Sequence, residues 1–513
     1  MIEFPEKFNM FDYFLQSNLN EGRGDKICLY YQDKVFTYNQ IAEEANRVGN
    51  SLLKLGVEME DRVLLILPDC PEFITSWFAI TKIGAVITMI NPLLTTEDYE
   101  YYFEYTRAKV AVVDESCLER IEPVLQKAKY LKSLLVVGNG QSSHPKYNEL
   151  VAQSSSELET AQTSRDDIAI WLFTSGSTGQ SKAAVHLQHD LPYNTECYAK
   201  QILKICQDDI TLGVPKLFFG YATGTNLLFP FAVGAATAIF SERSTAETVF
   251  EMIEKYKPTV LTTVPTMINS MLNTVVQRTY DLSSLRVAIS AGEALPEELY
   301  NRWKETFGVE ILDGIGSAEL FHIYISNRFG EVKPGSLGRI VPGYEARIVD
   351  AEGCVVASGE MGLLQVKGDS AAICYWNAHE KSKQTFAGDW VTTSDQFKQD
   401  KDGFFWYCGR SDDMLKVGGV FVSPIEIENC LLQHQSVAQC AVIGVKDQQG
   451  LVKSKAFIVL QPSFQPSQQL AVEIQEFVKS KIAPYKYPRV VEFVADLPKN
   501  DRGKVDKKLL KSS

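Results

Sequence analysis

Short apolar runs alternate with longer amphipathic stretches through the first 410 residues, and this alternation constrains the fold more than any other feature of the chain. Residues 63–67 (VLLIL) have the character of a buried strand, and residues 72–82 follow with a helical pattern. Residues 86–90 form the next apolar run, and TTEDYEYYFEYTRA reads as a helix leading into the run at 110–113. A further helix precedes residues 134–137. Such a βαβ rhythm builds parallel sheets covered by helices on both faces. The fold class expected is therefore α/β, with a large N-terminal body of doubly wound sheets. After residue 410 the style changes to short strands (CAVIGV, KAFIVL, RVVEFV) around one helix near 469–482, as in a small α+β domain. At 513 residues the chain is too long for one core, and the change of style divides it into 1–410 and 411–513. The polar stretch at 152–164 reads as a surface connection.

Charge and cysteine usage exclude several classes. A net charge of −13 argues against a general nucleic-acid binder. Residues 411–513 nevertheless carry 14 Lys and Arg against 11 Asp and Glu. A mildly basic domain facing an acidic body suits an anionic ligand at the junction, although chance asymmetry on a solvated surface fits too. The ten cysteines are scattered with no CxxC pair, and MIEFPEKFNM is no signal peptide. The expectation is a cytoplasmic protein in a reducing compartment, without a disulfide framework or zinc site. Residues 217–241 lack charges but contain Asn226 and Pro230, which suits a buried segment better than a membrane span.

Residues 168–173 (IAIWLF) empty into Thr174, Ser175, Gly176, Ser177, Thr178 and Gly179, with Lys182 just beyond. Glycines free the backbone there, hydroxyls supply donors, and consecutive N–H groups make a concavity for an anion. Phosphate is the natural guest of such a loop with a lysine at its edge. The spacing is not that of a Walker A loop, and a plain flexible surface loop has the same composition.

Four more stretches follow in order: DGIGSAE (313–319), WVTTSD (390–395), GRSDDMLK (409–416) and PKNDRGK (498–504). With TSGSTGQSK the set resembles the adenylate-forming superfamily of acyl- and aryl-CoA synthetases, over essentially the whole chain. KLFFGY (216–221), SAGEAL (290–295), HLQHD (186–190) and APYKYPR (483–489) resemble its benzoate-CoA and anthranilate-CoA ligase branch.

The resemblance implies activation of a small aromatic carboxylate with ATP and Mg²⁺, then transfer to coenzyme A. In that scheme Thr174–Lys182 hold phosphates and Glu319 binds the metal. Asp395 accepts the ribose hydroxyls and Arg410 donates to the same sugar. Lys504 bridges the α-phosphate and the substrate carboxylate. Gly292, Glu293, Asp313, Gly314, Ile315 and Gly316 frame the adenine and the acyl floor, and Gly418 and Gly419 join the nucleotide set. Phe219, Gly220, Tyr221, Ala291, Ile315, Gly316 and His322 are the candidate aryl pocket, with His322 expected to donate a hydrogen bond to the substrate. Asp412 is the expected pivot of a mobile C-terminal lid, and Lys416 enters the site after the lid turns. The resemblance implies a monomer or homodimer without nucleic-acid or membrane partners. Viewed singly, Glu319, Asp395 and Arg410 also suit ordinary surface or capping roles, and Phe218, Phe219 and Tyr221 suit plain core packing.

Four positions depart from the family's usual pattern: Ser181 stands in place of Pro, Ala183 in place of Gly, Ala318 in place of Thr and Ser394 in place of Gly. All lie on the nucleotide side. They keep open a second reading, an aroyl transferase between CoA and an acyl carrier protein with weakened ATP use. A non-catalytic binder of CoA esters is the third, opposed by the intact lysine at 504. A carrier-protein adenylation domain fits less well, because the chain ends at KKLLKSS with no attached carrier.

Overall fold

The apolar runs of the N-terminal part become the strands of two large sheets in a computed structural model, which describes residues 2–175, 180–275, 280–411, 414–417, 420–446, 452–483, 486–499 and 505–512. The first sheet has seven strands in the order Cys374–Tyr375, Ser181–Leu187, Ile168–Ser175, Val86–Met89, Arg62–Ile66, Val110–Asp114 and Ser133–Val137. Its five consecutive strands from Ile168–Ser175 to Ser133–Val137 pair in parallel. Helices Pro71–Lys82 and Thr96–Thr106 supply crossovers where the spacing places them. The second sheet has nine strands and is parallel from Ile27–Tyr31 to Ile311–Gly316, with antiparallel strands at both ends.

One core joins these sheets. Val63 and Leu65 of the first and Ile239, Val260 and Ile289 of the second belong to the same buried cluster. Helix Pro71–Lys82 is buried at every residue from Phe73 onward, and its Phe78 meets Phe231 with ring centroids 5.2 Å apart. Helices in that position have no solvent face, so its apolar residues run all round rather than in one stripe. Helix Tyr38–Lys54 starts at a capping box formed by Thr37 and Gln40. Its Asn46, Arg47 and Asn50 donate to carbonyls between Ser154 and Glu157, which pins the irregular connection expected there.

Residues 345–410 depart from the βαβ rhythm. They form an antiparallel sheet of Glu345–Val349, Met361–Lys367, Trp390–Gln399, Phe386–Ala387 and Phe405–Arg410. Burial alternates along Met361–Lys367, the mark of a sheet with one wet face. The smaller C-terminal part has Leu415–Val417 paired with Val420–Val422, and a three-stranded sheet of Val437–Lys446, Val452–Leu460 and Val490–Phe493. Helices Pro424–Leu431 and Gln468–Lys481 close a separate core of Ile427, Leu431, Val442, Ile458, Ile474 and Val478. All ten cysteines are free thiols. Among the described residues no helix is long and apolar enough to cross a membrane.

Candidate active site

Parallel pairing gathers the carboxyl ends of Ile210–Gly213, Val260–Thr263, Val287–Ser290 and Ile311–Gly316 along one edge of the nine-stranded sheet. Ligands of open α/β sheets bind outside such ends. Phe219, Gly220 and Tyr221 come after the first strand, with Phe219 at the N-cap of helix Gly220–Thr223. Ala291, Gly292 and Glu293 follow the third strand, and Asp313, Gly314, Ile315 and Gly316 lie in the fourth.

Tyr221 points its hydroxyl at the carbonyl oxygens of Thr263 and Ile289, 3.2 and 3.3 Å away. Its own carbonyl accepts the Nε2 proton of His322 at 3.0 Å. Burial pulls the His322 imidazole down to about 3, against that hydrogen bond, so the ring is neutral with its one proton on Nε2. The expectation that His322 donates to substrate is thereby corrected: the proton is committed to Tyr221, and Nδ1 is a buried acceptor without a partner among the described residues. Close packing around the ring and backbone of His322 explains two glycines. A Cβ at Gly224 would lie 2.5 Å from His322 Cδ2, and one at Gly316 would lie 2.4 Å from the His322 carbonyl oxygen. Burial pushes the Asp313 carboxyl up to about 8, with Ser290 and the N–H groups of Leu295 and Gly314 pulling the other way. Glu293 is turned away to cap helix Pro265–Thr274, accepting from Thr266 N–H at 3.0 Å and its hydroxyl at 2.8 Å.

The charged residues collect on another side. In the hairpin of Ile168–Ser175 and Ser181–Leu187, Thr174 stands opposite Lys182. The Lys182 ammonium lies 3.7 Å from the centroid of the Tyr375 ring, and the Tyr375 hydroxyl donates to Glu319 Oε1 at 2.5 Å. Burial lowers the Lys182 ammonium from its ordinary value; Glu319 opposes this, while Lys381 and Arg410 add to it. Burial and the Glu319 carboxylate hold the Tyr375 phenol far above its usual range, so it stays a donor. Behind Glu319, the Ala318 carbonyl meets Nε2 of the buried His186 at 2.7 Å, and Nδ1 of the same ring lies 2.8 Å from Asp190. Asp395 and Arg410 face each other across antiparallel strands, and Tyr407 donates to Asp395 at 3.3 Å.

The two sides meet at Phe321. The His322 N–H donates to the Leu320 carbonyl at 2.9 Å across Phe321, which has φ 68° and ψ −59°. This is a γ-turn, strained for a bulky residue at a cost on the order of 1–3 kcal/mol. It reverses the chain so that Glu319 faces Lys182 and Tyr375 while His322, three residues on, packs beside Tyr221.

No cluster of three or more His, Cys, Asp or Glu side chains among the described residues forms a metal cage. A single half-buried carboxylate such as Glu319 fits Mg²⁺, which keeps its waters and binds through substrate phosphates and one or two acidic groups.

Residues 16–376 match the family model described as AMP-binding enzyme, and residues 426–504 match that of the AMP-binding enzyme C-terminal domain. The chain belongs to the AMP-binding enzyme family. Over 516 residues it is 43% identical to benzoate–CoA ligase of Thauera aromatica, covering 100% of this chain and 97% of that one. It is 37% identical to the 4-hydroxybenzoate–CoA/benzoate–CoA ligase of Rhodopseudomonas palustris, over 97% of this chain and 93% of the relative. Among solved structures it is similar to the anthranilate CoA ligase AuaEII in complex with anthranoyl-AMP, with a TM-score of 0.95, 42% identity, and coverage of 99% of this chain and 98% of that one. A benzoate CoA ligase from Burkholderia xenovorans LB400 superposes with a TM-score of 0.90 at 39% identity, covering 98% of this chain and 100% of the other.

Of the residues nominated from sequence, Gly176, Ser177, Thr178, Gly179, Asp412, Gly418, Gly419 and Lys504 lie outside the described residues, as do the side chains of Ser175 and Lys416. Sequence reasoning missed Tyr375, Phe321, and Tyr101 and Tyr105, which bond to the strand carrying Lys182. Only the last pair left a signal: two tyrosines four residues apart in a helix.

Proposed function

We infer that this AMP-binding enzyme activates a small aromatic carboxylate of the benzoate or 2-aminobenzoate type to an aroyl-adenylate and hands it to coenzyme A. The chain is an AMP-forming acid–thiol ligase of the aryl-CoA class, using ATP, Mg²⁺ and CoA. The observation that carries the finer reading is the turn at Phe321, which sets the carboxylate of Glu319 back to back with the pair of part-buried Tyr221 and buried His322. A phosphate on the Glu319 side and an aromatic acid beside Tyr221 would then be neighbours, as adenylation needs.

A carboxylate is a poor electrophile, and its attack on the ATP α-phosphate brings anions together. Lys182 and the loop from Thr174 hold the phosphates, Asp395 and Arg410 hold the ribose, and Lys504 bridges the α-phosphate and the substrate carboxylate. Glu319 would hold Mg²⁺, whose charge would be available to neutralise the phosphates. The aryl ring packs against Tyr221 and the glycine backbone of 314–316, a flat surface that suits a ring better than a fatty chain. After pyrophosphate leaves, the lid beyond Asp412 turns and brings in Lys416 for thioester formation. The domain division at 410, the pivot, a cytoplasmic location and a monomeric or dimeric state belong to the same proposal.

The test is mass spectrometry of CoA products from a panel of benzoates with ATP and Mg²⁺. Benzoate or 2-aminobenzoate thioesters are expected, and efficient activation of palmitate would sink the assignment. Ser181, Ala183, Ala318 and Ser394 favour one second reading, an aroyl transferase between CoA and a carrier protein. Absence of ATP–pyrophosphate exchange would select it.

A further inference from the structure

Two tyrosines of helix Thr96–Thr106 hold the strand that leaves the phosphate loop. Tyr101 and Tyr105 stand one helical turn apart, rings stacked with centroids 5.2 Å apart and planes 18° from parallel. The Tyr101 hydroxyl donates to the Ser181 carbonyl at 2.5 Å. Tyr105 Oη accepts the Ala183 N–H at 3.2 Å and donates to the Trp376 carbonyl at 2.7 Å. Trp376 N–H completes the loop of bonds by donating to the Ala183 carbonyl at 2.9 Å. These contacts bracket Lys182: one tyrosine takes the carbonyl before it, the other the amide after it. A third, Tyr375, lies under its ammonium and turns its hydroxyl to Glu319.

We propose that Tyr101, Tyr105 and Tyr375 are positioning residues that aim Lys182 at the phosphates of ATP, an inference that rests on the ligase reading of the site. The lysine side chain is a flexible stem ending in a point charge, so its usefulness depends on what fixes its two ends. Ser181, the residue before it, lacks the fixed φ that proline would impose. The Tyr101 and Tyr105 hydroxyls fix the backbone at the root of the stem. The Tyr375 ring holds the tip by a cation–π contact, while its hydroxyl keeps Glu319 in register with that tip. Phenylalanine would pack equally well at 101 and 105, so Tyr→Phe changes isolate the hydroxyls.

The experiment uses the full chain, with steady-state kinetics in benzoate, ATP, CoA and Mg²⁺ and calorimetric binding of ATP without acid. Tyr101→Phe and Tyr105→Phe should each weaken ATP binding and raise KM for ATP about fivefold, the value of one hydrogen bond, with KM for benzoate unchanged. Adding Ser181→Pro to Tyr101→Phe should restore ATP binding to within about twofold of wild type, because proline stiffens the same residue from within. Tyr375→Phe, which keeps the ring, should weaken ATP less than Tyr375→Leu, which removes it. Equal rises in KM for ATP and benzoate, or ATP binding unchanged in both Phe variants, would overturn the proposal. Failure of the wild type to make benzoyl-CoA would instead defeat the ligase reading, and ATP calorimetry would still judge the clamp.

Discussion

The nucleotide side and the aryl side of the site are built on opposite principles. Around Lys182, Glu319, Tyr101 and Tyr105 are partly exposed, and the hydroxyls of these tyrosines and of the buried Tyr375 are all bonded. Around His322 the groups are buried, and His322 Nδ1 and Thr263 Oγ1 have no partner among the described residues. An unsatisfied buried polar atom costs about 1–3 kcal/mol. The nucleotide side is thus a frame whose tyrosine hydroxyls are already bonded around Lys182 and Glu319. On the aryl side a ligand with the right donor would meet an acceptor at His322 Nδ1.

The largest expected effect tests whether the nucleotide frame is sufficient by itself. Lys504 belongs to the C-terminal part, and no cation of the frame replaces it at the α-phosphate in the proposed mechanism. Lys504→Ala should slow acyl-adenylate formation by about a thousandfold, the scale of losing a principal charge stabiliser. Thioester formation from pre-made adenylate should change little, whereas Lys416→Ala should show the reverse pattern. Single-turnover measurement of each half-reaction checks both. Equal losses in the two half-reactions would mean that the substitution damages the lid alone.

Next comes the buried acid of the aryl side. Asp313 is pushed up to about 8 by burial, from an ordinary value of 3.8. Between those values the folded state keeps a proton that the unfolded chain releases. Its contribution to stability is therefore complete below about pH 4 and is lost as pH rises through about 8, a change of a few kcal/mol. Asp313→Asn is neutral throughout and should flatten that slope. Thermal unfolding at pH 6 and pH 9 measures it: wild type should lose more than the variant. Parallel losses would place the carboxyl in a wetter setting and erase much of the contrast between the two sides.

How much of this was legible in the sequence follows the same division. The parallel strands were readable because continuous apolar runs such as residues 63–67 and 110–113 bury both faces. The ends of those strands then placed Tyr221, Ala291 and Asp313 together. The antiparallel sheet of residues 345–410 escaped notice because the residue types along its strands, such as MGLLQVK at 361–367, do not follow the alternation that their burial does. Tyr375 and Glu319 are 56 residues apart and Tyr101 and Ser181 are 80 apart, distances over which no local pattern speaks. The turn at Phe321 was hidden for another reason. A left-handed φ is ordinarily signalled by Gly or Asn, and here the fold imposes it on a phenylalanine. Residue chemistry alone also could not assign the His322 proton, which depends on a carbonyl 101 residues away.

A smaller effect sharpens the aryl side. Since His322 Nδ1 can only accept, a ring substituent that donates should be preferred over one that cannot. The kcat/KM ratio of 2-aminobenzoate to benzoate should fall about tenfold in His322→Leu, within the range for one buried hydrogen bond. KM for ATP should hold steady. Equal losses for both acids would make the imidazole a packing element only.

The smallest effect concerns Ala318, where the two sides come closest. Its carbonyl is held by His186, and Glu319 follows it directly. The alanine has no hydroxyl to offer a phosphate. Ser317, its neighbour, occupies extended backbone at φ −148°, so its side chain points away from the next. Ala318 is only partly buried, at the margin of the core. Ala318→Thr should add one hydrogen bond, about 1 kcal/mol, and raise the adenylation rate roughly fivefold. Thioester formation should not respond, since pyrophosphate has left by then. ATP–pyrophosphate exchange and adenylate-dependent thioester formation, measured side by side, separate the two. A gain confined to exchange would mean that the nucleotide frame is an ordinary one short of a single donor. A loss would mean that the alanine serves some other purpose, and the carrier-protein transferase would become the better account of this site.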